Sequence, residues 1–443
     1  MVFFRLFFRP VRWLWLACFG LACIAADAAV GDSAFFAWKR INGAYFWGVD
    51  LFDHRDGEIT RETTSGFKIG LPLYFTNRLA LDFGLGFEFW YPVREFQNQR
   101  RFIRFGPGID RANLRYENEA GGWKYSITGG LFDFAADGDA TVFGDYLLRY
   151  GAYPGMGVER PQNGWAPLGD TKVPLSGIDL GLSAPSGKFR QQLLGMVDSS
   201  ASGKGSDFSL AYVLDYPAGG NVELGFGIEW LRFASTVPDE TTPKNRDNAY
   251  VKTDTGYVVL LWDTTGTVAG DTGYYTRTAT QIMIRAAFDL QGIFGLPSWG
   301  EKDWRVYTEA ALLGVANQPV YYDERFRRFA FMAGVNLPSF GLLDRFVVEA
   351  EWHQRHYSFP DYIRFASFPP PVPGVPIKDP SERWKESVFI SKTFFHWLSL
   401  QGIFIHYPVP ILYGYSDTAE SEVTYKVKTF LFDRFILRAQ ASF

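Results

Sequence analysis

Cysteine is almost absent. Two occur in 443 residues, Cys18 and Cys23, so no disulfide or thiolate site can form beyond residue 23. Histidine is scarce as well, with five in all. Neither H-E-x-x-H, G-x-S-x-G, Walker A nor a paired C-x-x-C occurs. His353 and His356 stand three apart on an expected strand, so they point to opposite faces. No catalytic residue, metal site or cofactor is therefore expected, and the chain is not read as an enzyme. Charge of one sign is lacking too. The formal net charge is −4, which does not suit a nucleic-acid partner. Long hydrophobic runs are confined to Trp13–Ile24, twelve residues, where a spanning helix needs about 20. Arg5, Arg9 and Arg12 precede that run and Ala26-Asp27-Ala28 follows it. This is the pattern of a secretory leader over 1–28, cleaved after Ala28. It leaves 29–443 as one domain, and loss of three arginines and one aspartate makes that domain more acidic.

What is abundant is aromatic and glycine. There are 42 Phe, 23 Tyr, 14 Trp and 45 Gly, yet mean hydropathy is only −0.09. The apolar residues are dispersed in a period of two. In Leu79–Phe89, Leu79, Leu81, Phe83, Leu85, Phe87 and Phe89 alternate with Ala80, Asp82, Gly84, Gly86 and Glu88. A strand sorts these onto two faces, and a helix would smear them. Phe67–Phe75 alternates likewise, and Thr76-Asn77-Arg78 makes a tight hairpin connection between the two runs. The pattern recurs near 43–53, 109–118, 122–133, 175–184, 188–198, 206–217, 221–233, 275–290, 303–314, 325–337, 342–357, 383–394, 397–407 and 430–443. That is sixteen strands, with fourteen or eighteen as alternatives.

Short turns follow even strands, and long polar loops follow several odd ones, near 134–174, 234–274 and 358–382. Tryptophans gather at strand ends, as at Trp47, Trp90, Trp230, Trp352 and Trp384. This predicts an all-β fold, a transmembrane antiparallel up-and-down β-barrel. A soluble sandwich would bury its apolar face with Val, Ile and Leu instead. Ala140–Gly155, within the first of these loops, reads as a short helix. Gly256–Trp262 reads as a strand extension or an added hairpin. Pro369–Pro380 reads as a stiff extended loop. Val423–Leu437 keeps one parity and so forms one long strand.

A barrel of sixteen strands is wide enough for an aqueous channel, so the inner face is where function is sought. Parity places Arg345, Glu349, Glu351, His353 and Arg355 inside. It does the same for Arg277, Arg285, Arg305, Glu309, Arg328, Arg434 and Arg438. The third outside loop, near 134–174, is acidic, with Asp137, Asp139 and Asp145.

The stretch "FDRFILRAQASF", with Phe435, Leu437 and Phe443 on one parity, resembles the assembly signal of Gram-negative outer-membrane barrels. Strand number and the long third loop resemble those of the porins. The resemblance implies an integral outer-membrane protein, exported, inserted by barrel-assembly machinery and surrounded by outer-membrane lipid. It implies passive diffusion of small hydrophilic solutes and is compatible with a homo-oligomer. It further implies that the third loop enters the lumen, setting Asp137, Asp139 or Asp145 against Arg328, Arg345 and Arg355. The competing expectation is a non-channel barrel for surface binding or adhesion, its long loops holding a glycan or partner with Tyr274, Tyr275, Tyr321 and Tyr322.

Overall fold

A computed structural model describes residues 37–38, 42–54, 58–91, 104–134, 138–148, 173–187, 189–199, 206–235, 249–253, 256–260, 279–300, 302–312, 315, 329–353, 384–416 and 423–442. The expected leader, the proline-rich loop, Arg277, Arg328, Arg355, Asp137, Phe443 and the four loop tyrosines lie outside them.

The alternating runs form sixteen long antiparallel strands: β1 Asn42–His54, β2 Glu58–Tyr74, β3 Leu79–Tyr91, β4 Arg104–Ala120, β5 Trp123–Phe134 and β6 Val173–Ser183. They continue as β7 Arg190–Ser199, β8 Ser206–Pro217, β9 Val222–Ser235, β10 Ala279–Asp289 and β11 Arg305–Leu312. The last are β12 Phe329–Asn336, β13 Arg345–His353, β14 Trp384–Phe394, β15 Leu398–Ser416 and β16 Val423–Ser442. Each pairs with the next, β9 with β10 by way of Val222↔Phe288 to Leu231↔Ala279. The last pairs with the first, from Ser442↔Ala44 to Phe432↔His54, so the succession of pairings returns on itself.

Two short pieces are added. Ala37–Trp38 pairs with the end of β2. Ala249–Thr253 and Gly256–Leu260 form a hairpin within the β9–β10 connection. Its second arm pairs with Val423–Tyr425 of β16, six strands along the ring from β10. The apolar stretch at 256–260 is thus an added hairpin, not an extension of β9 or β10.

β15 runs through Pro408 and Pro410. Among the described residues its ladder to β14 ends at His406, short of both prolines, which would be costly inside a ladder on the donor side. Turns at the other end use ordinary chemistry, such as Gly121-Gly122 with both φ positive. Asp289 caps the one-turn helix α1, Leu290–Phe294, by accepting from Gly292 N, and left-handed Gly295 ends it.

The two faces of the sheet differ. One exposes large apolar side chains, among them Ile284 at 57% and Leu437 at 56%, with Leu180, Leu224, Phe226, Leu400 and Phe435. Each would gain about 1.5–3 kcal/mol on leaving water. An apolar face of this kind suits lipid. Against part of the other face lie residues of the connection between β5 and β6.

Candidate functional site

β5 ends at Phe134 and β6 begins at Val173. Between them, Gly138–Leu148 lies against the inner face. The expected helix does not form over Ala140–Leu148; the backbone there is a series of turns. Gly144 (φ 84°) and Asp145 (φ 57°) are successive left-handed residues, which interrupt any right-handed helix. The apolar spacing serves packing instead. Val142, Phe143, Tyr146, Leu147 and Leu148 are buried in one cluster with inner-face Phe132, Leu194, Met283, Tyr307 and Met332. Leu147 fits over bare backbone: a Cβ on Gly227 would lie 2.9 Å from its Cδ2.

Folding these residues inward carries main-chain N–H groups away from water, and each needs an acceptor. Wall carboxylates supply them. Glu349 accepts from Thr141 N (2.7 Å), Val142 N (2.7 Å) and Phe143 N (2.9 Å). It also accepts from the Tyr307 hydroxyl at 2.5 Å. Glu309 accepts from Asp145 N (2.9 Å) and Tyr146 N (2.5 Å). The Tyr146 hydroxyl donates to Glu351 at 2.9 Å, and Lys385 Nζ pairs with the same carboxylate at 3.0 Å. The three glutamates are 0–1% exposed and Lys385 2%. Parity does place Glu309, Glu349 and Glu351 inside, but they lie beneath the segment as its anchors rather than facing open water.

The acidic residues of the segment also differ from expectation. Asp139 pairs with Lys302 (2.9 Å) and Arg305 (2.6 Å). Burial pushes its carboxyl up, and the hydrogen bonds and positive charges of Lys302 and Arg305 outweigh that, leaving it below the usual range. Arg345 meets the segment through neutral atoms, donating to Asp139 O (3.3 Å) and Thr141 Oγ1 (3.2 Å). Arg305 also pairs with Glu223 at 2.7 Å. Arg285 pairs with Asp215, which Arg190 meets at 2.9 Å. Asp145 is buried in the segment and Arg438 in the wall of β16. His353 and Arg434 occupy strand positions whose side chains are outside the described set. Phe435 and Leu437 are on the exposed apolar face.

Sequence reasoning passed over Lys302, Tyr307, Lys385 and Tyr146. Lys385 and Tyr307 had a usable signal, since each shares parity with inner-face neighbours. Lys302 sits in a turn, where period two says nothing.

A scan against family models and a search of curated proteins found no match. Among solved structures the chain is similar to a triple mutant of the Rhodopseudomonas blastica porin. That match has 9% identity and a TM-score of 0.39, over 92% of this chain and 100% of that one. It is also similar to Pseudomonas putida OprB at high pH. There identity is 11% and the TM-score 0.47, over 92% of this chain and 94% of that one.

Proposed function

We propose that the chain is an outer-membrane channel for passive diffusion of small hydrophilic solutes, narrowed by the segment 138–148. The observation that carries this reading is the inward-folded segment anchored on the inner face of a ring of strands with an apolar outer face. A barrel used only for surface binding has no need to order a loop within its bore. A channel does, because a fixed constriction sets which solutes pass. The chemistry fits a wall that sorts rather than reacts: carboxylates and cations are engaged in pairs and hydrogen bonds. Residues 1–28 act as the export leader, and Phe435, Leu437 and Phe443 as the assembly signal. Arg285, Arg305, Arg345 and Arg438, with Arg277, Arg328, Arg355, His353 and Arg434, contribute to the charged wall.

The test is conductance of the full chain in planar bilayers, beside a variant lacking 138–148. Stepwise single channels are expected, with larger conductance and weaker size discrimination after the deletion. A protein that inserts without conducting would support the surface-binding barrel. Unchanged conductance after deletion would sink the constriction.

A further inference from the structure

We propose that Glu309 and Glu349 are positioning residues that latch the 138–148 segment to the wall while they are ionised, so that acid releases it. The effect on permeation rests on the channel reading, whereas the release itself does not.

A carboxylate offers two oxygens and about four lone-pair sites, and it is acceptor-only when ionised. Glu349 uses that capacity fully, taking three main-chain N–H groups and the Tyr307 hydroxyl. Glu309 takes the next two, Asp145 N and Tyr146 N. Five consecutive-region amides thus depend on two side chains. Protonation turns one carboxyl oxygen into a donor, which then faces an N–H at a site with no exposure to water.

The main-chain hydrogen bonds identify these two groups as the latch. Glu349 has no cation within ion-pair distance among the described residues. Arg345, on its own strand, is turned to Asp139 O and Thr141 Oγ1. Across the strands Glu349 meets Gly334 and Ser387, and Tyr307 on β11, beyond Gly334, donates to it; Glu309 is two residues further along β11. Glu309 is the register partner of Arg285 on β10 and of Met332 on β12. Asp145 stands over it in the segment, and Arg285 is engaged with Asp215. Glu351 is held by Lys385 and Tyr146, and Asp139 by Lys302 and Arg305. Glu351 and Asp139 therefore keep a cation as counter-charge. The charge of Glu349 is sustained by the segment's own amides and Tyr307. Docking and ionisation then support each other, and adding a proton weakens docking.

Hydrogen exchange of the full chain in lipid nanodiscs, from about pH 7 down to about pH 4 and corrected for intrinsic rates, tests this. Protection of amides 141–146 should fall by about tenfold or more on acidification, while amides of β11 and β13 stay protected. Glu309→Gln with Glu349→Gln should abolish the step. Asp139→Asn should keep it. Tyr307→Phe, which leaves both carboxylates in place, removes a donor that favours the ionised form and should move the step to higher pH. A pH-independent pattern in the native chain would overturn the latch, as would a step that survives the double substitution or one that vanishes in Asp139→Asn. Failure of the double variant to fold leaves the Tyr307→Phe shift as the deciding measurement, and an unmoved midpoint there counts against the latch. A step in exchange without any bilayer conductance would overturn only the channel reading.

Discussion

Leu147→Ala should undock the 138–148 segment without unfolding the barrel. Leu147 is fully buried and sits over the backbone of Gly227 beside Met283. Truncating such a leucine removes its transfer energy and leaves a cavity, together about 2–5 kcal/mol. Here the cost falls on docking, because the strand pairings do not involve residue 147. At about 1.4 kcal/mol per factor of ten, the docked fraction relative to the undocked one should fall by roughly thirty-fold to several thousand-fold. The reciprocal change is informative. Gly227→Ala puts a Cβ 2.9 Å from Leu147 Cδ2 and 3.2 Å from Met283 Cε, an overpacking worth about 1–3 kcal/mol. Combined with Leu147→Ala, the new methyl enters the space the leucine left. The double variant should be less perturbed than the sum, by about 0.5–3 kcal/mol. Limited proteolysis of the folded protein, scored by cleavage within 138–148, measures docking, and urea unfolding measures the barrel separately. Native-like cleavage in Leu147→Ala would show that the leucine does not hold the segment. Strict additivity in the double variant would show that Leu147 does not sit on Gly227.

Lys385→Met should lower the urea midpoint by the equivalent of about 3–5 kcal/mol, because it strands the buried carboxylate of Glu351. Glu386→Gln, one residue on and facing the exposed side, should change stability by less than about 0.5 kcal/mol. Equal effects of the two would refute the burial of the pair. Val258 and Thr424 are register partners, so a cysteine at each should form a disulfide in the assembled barrel. Absence of that cross-link would place the hairpin elsewhere. Asp139→Asn should speed cleavage within 138–148 at neutral pH. Its carboxyl lies below the ordinary range through Lys302 and Arg305, so its contribution is complete above the unfolded value of about 3.9 and is lost as pH falls through the lower folded value. The difference from the native chain should stay level as pH falls from about 8 for as long as the segment stays docked, and close where acid releases it. A difference that widens on acidification would contradict the pairing.

The strands were legible because the two faces of the sheet make opposite demands on neighbouring residues. Leu79–Phe89 alternates along its length, and it is a strand along its length. The reading fails where those demands end. β2 begins at Glu58 rather than near 67, through "EITRETTS", and β15 continues to Ser416 through two prolines. Those stretches lack a clean alternation, and the pairing that extends them shows only in three dimensions. Val142, Phe143, Tyr146 and Leu147 mislead in the opposite way. Their spacing suits one side of a helix, yet it also suits turns that press one side against a wall.

The same reasoning applies to Glu349, whose carboxylate accepts main-chain N–H groups of the segment. Parity reports which way a side chain points, not what occupies the space in front of it. Glu349 and Thr141 are 208 residues apart, and no local pattern encodes their meeting. The demand behind it is nevertheless simple. A connection that leaves the water of the loops for the inside of a barrel brings unsatisfied N–H donors with it, and an apolar wall cannot receive them. Carboxylates interleaved with glycine and apolar residues on the inner face, as at Glu309, Met332, Gly334, Glu349 and Glu351, are suited to that reception. Where such a row coincides with a long apolar connection such as "ATVFGDYLL", the carboxylates should be read first as acceptors for main chain. They should be read as lining for a solute only after the donors of the connection have been accounted for.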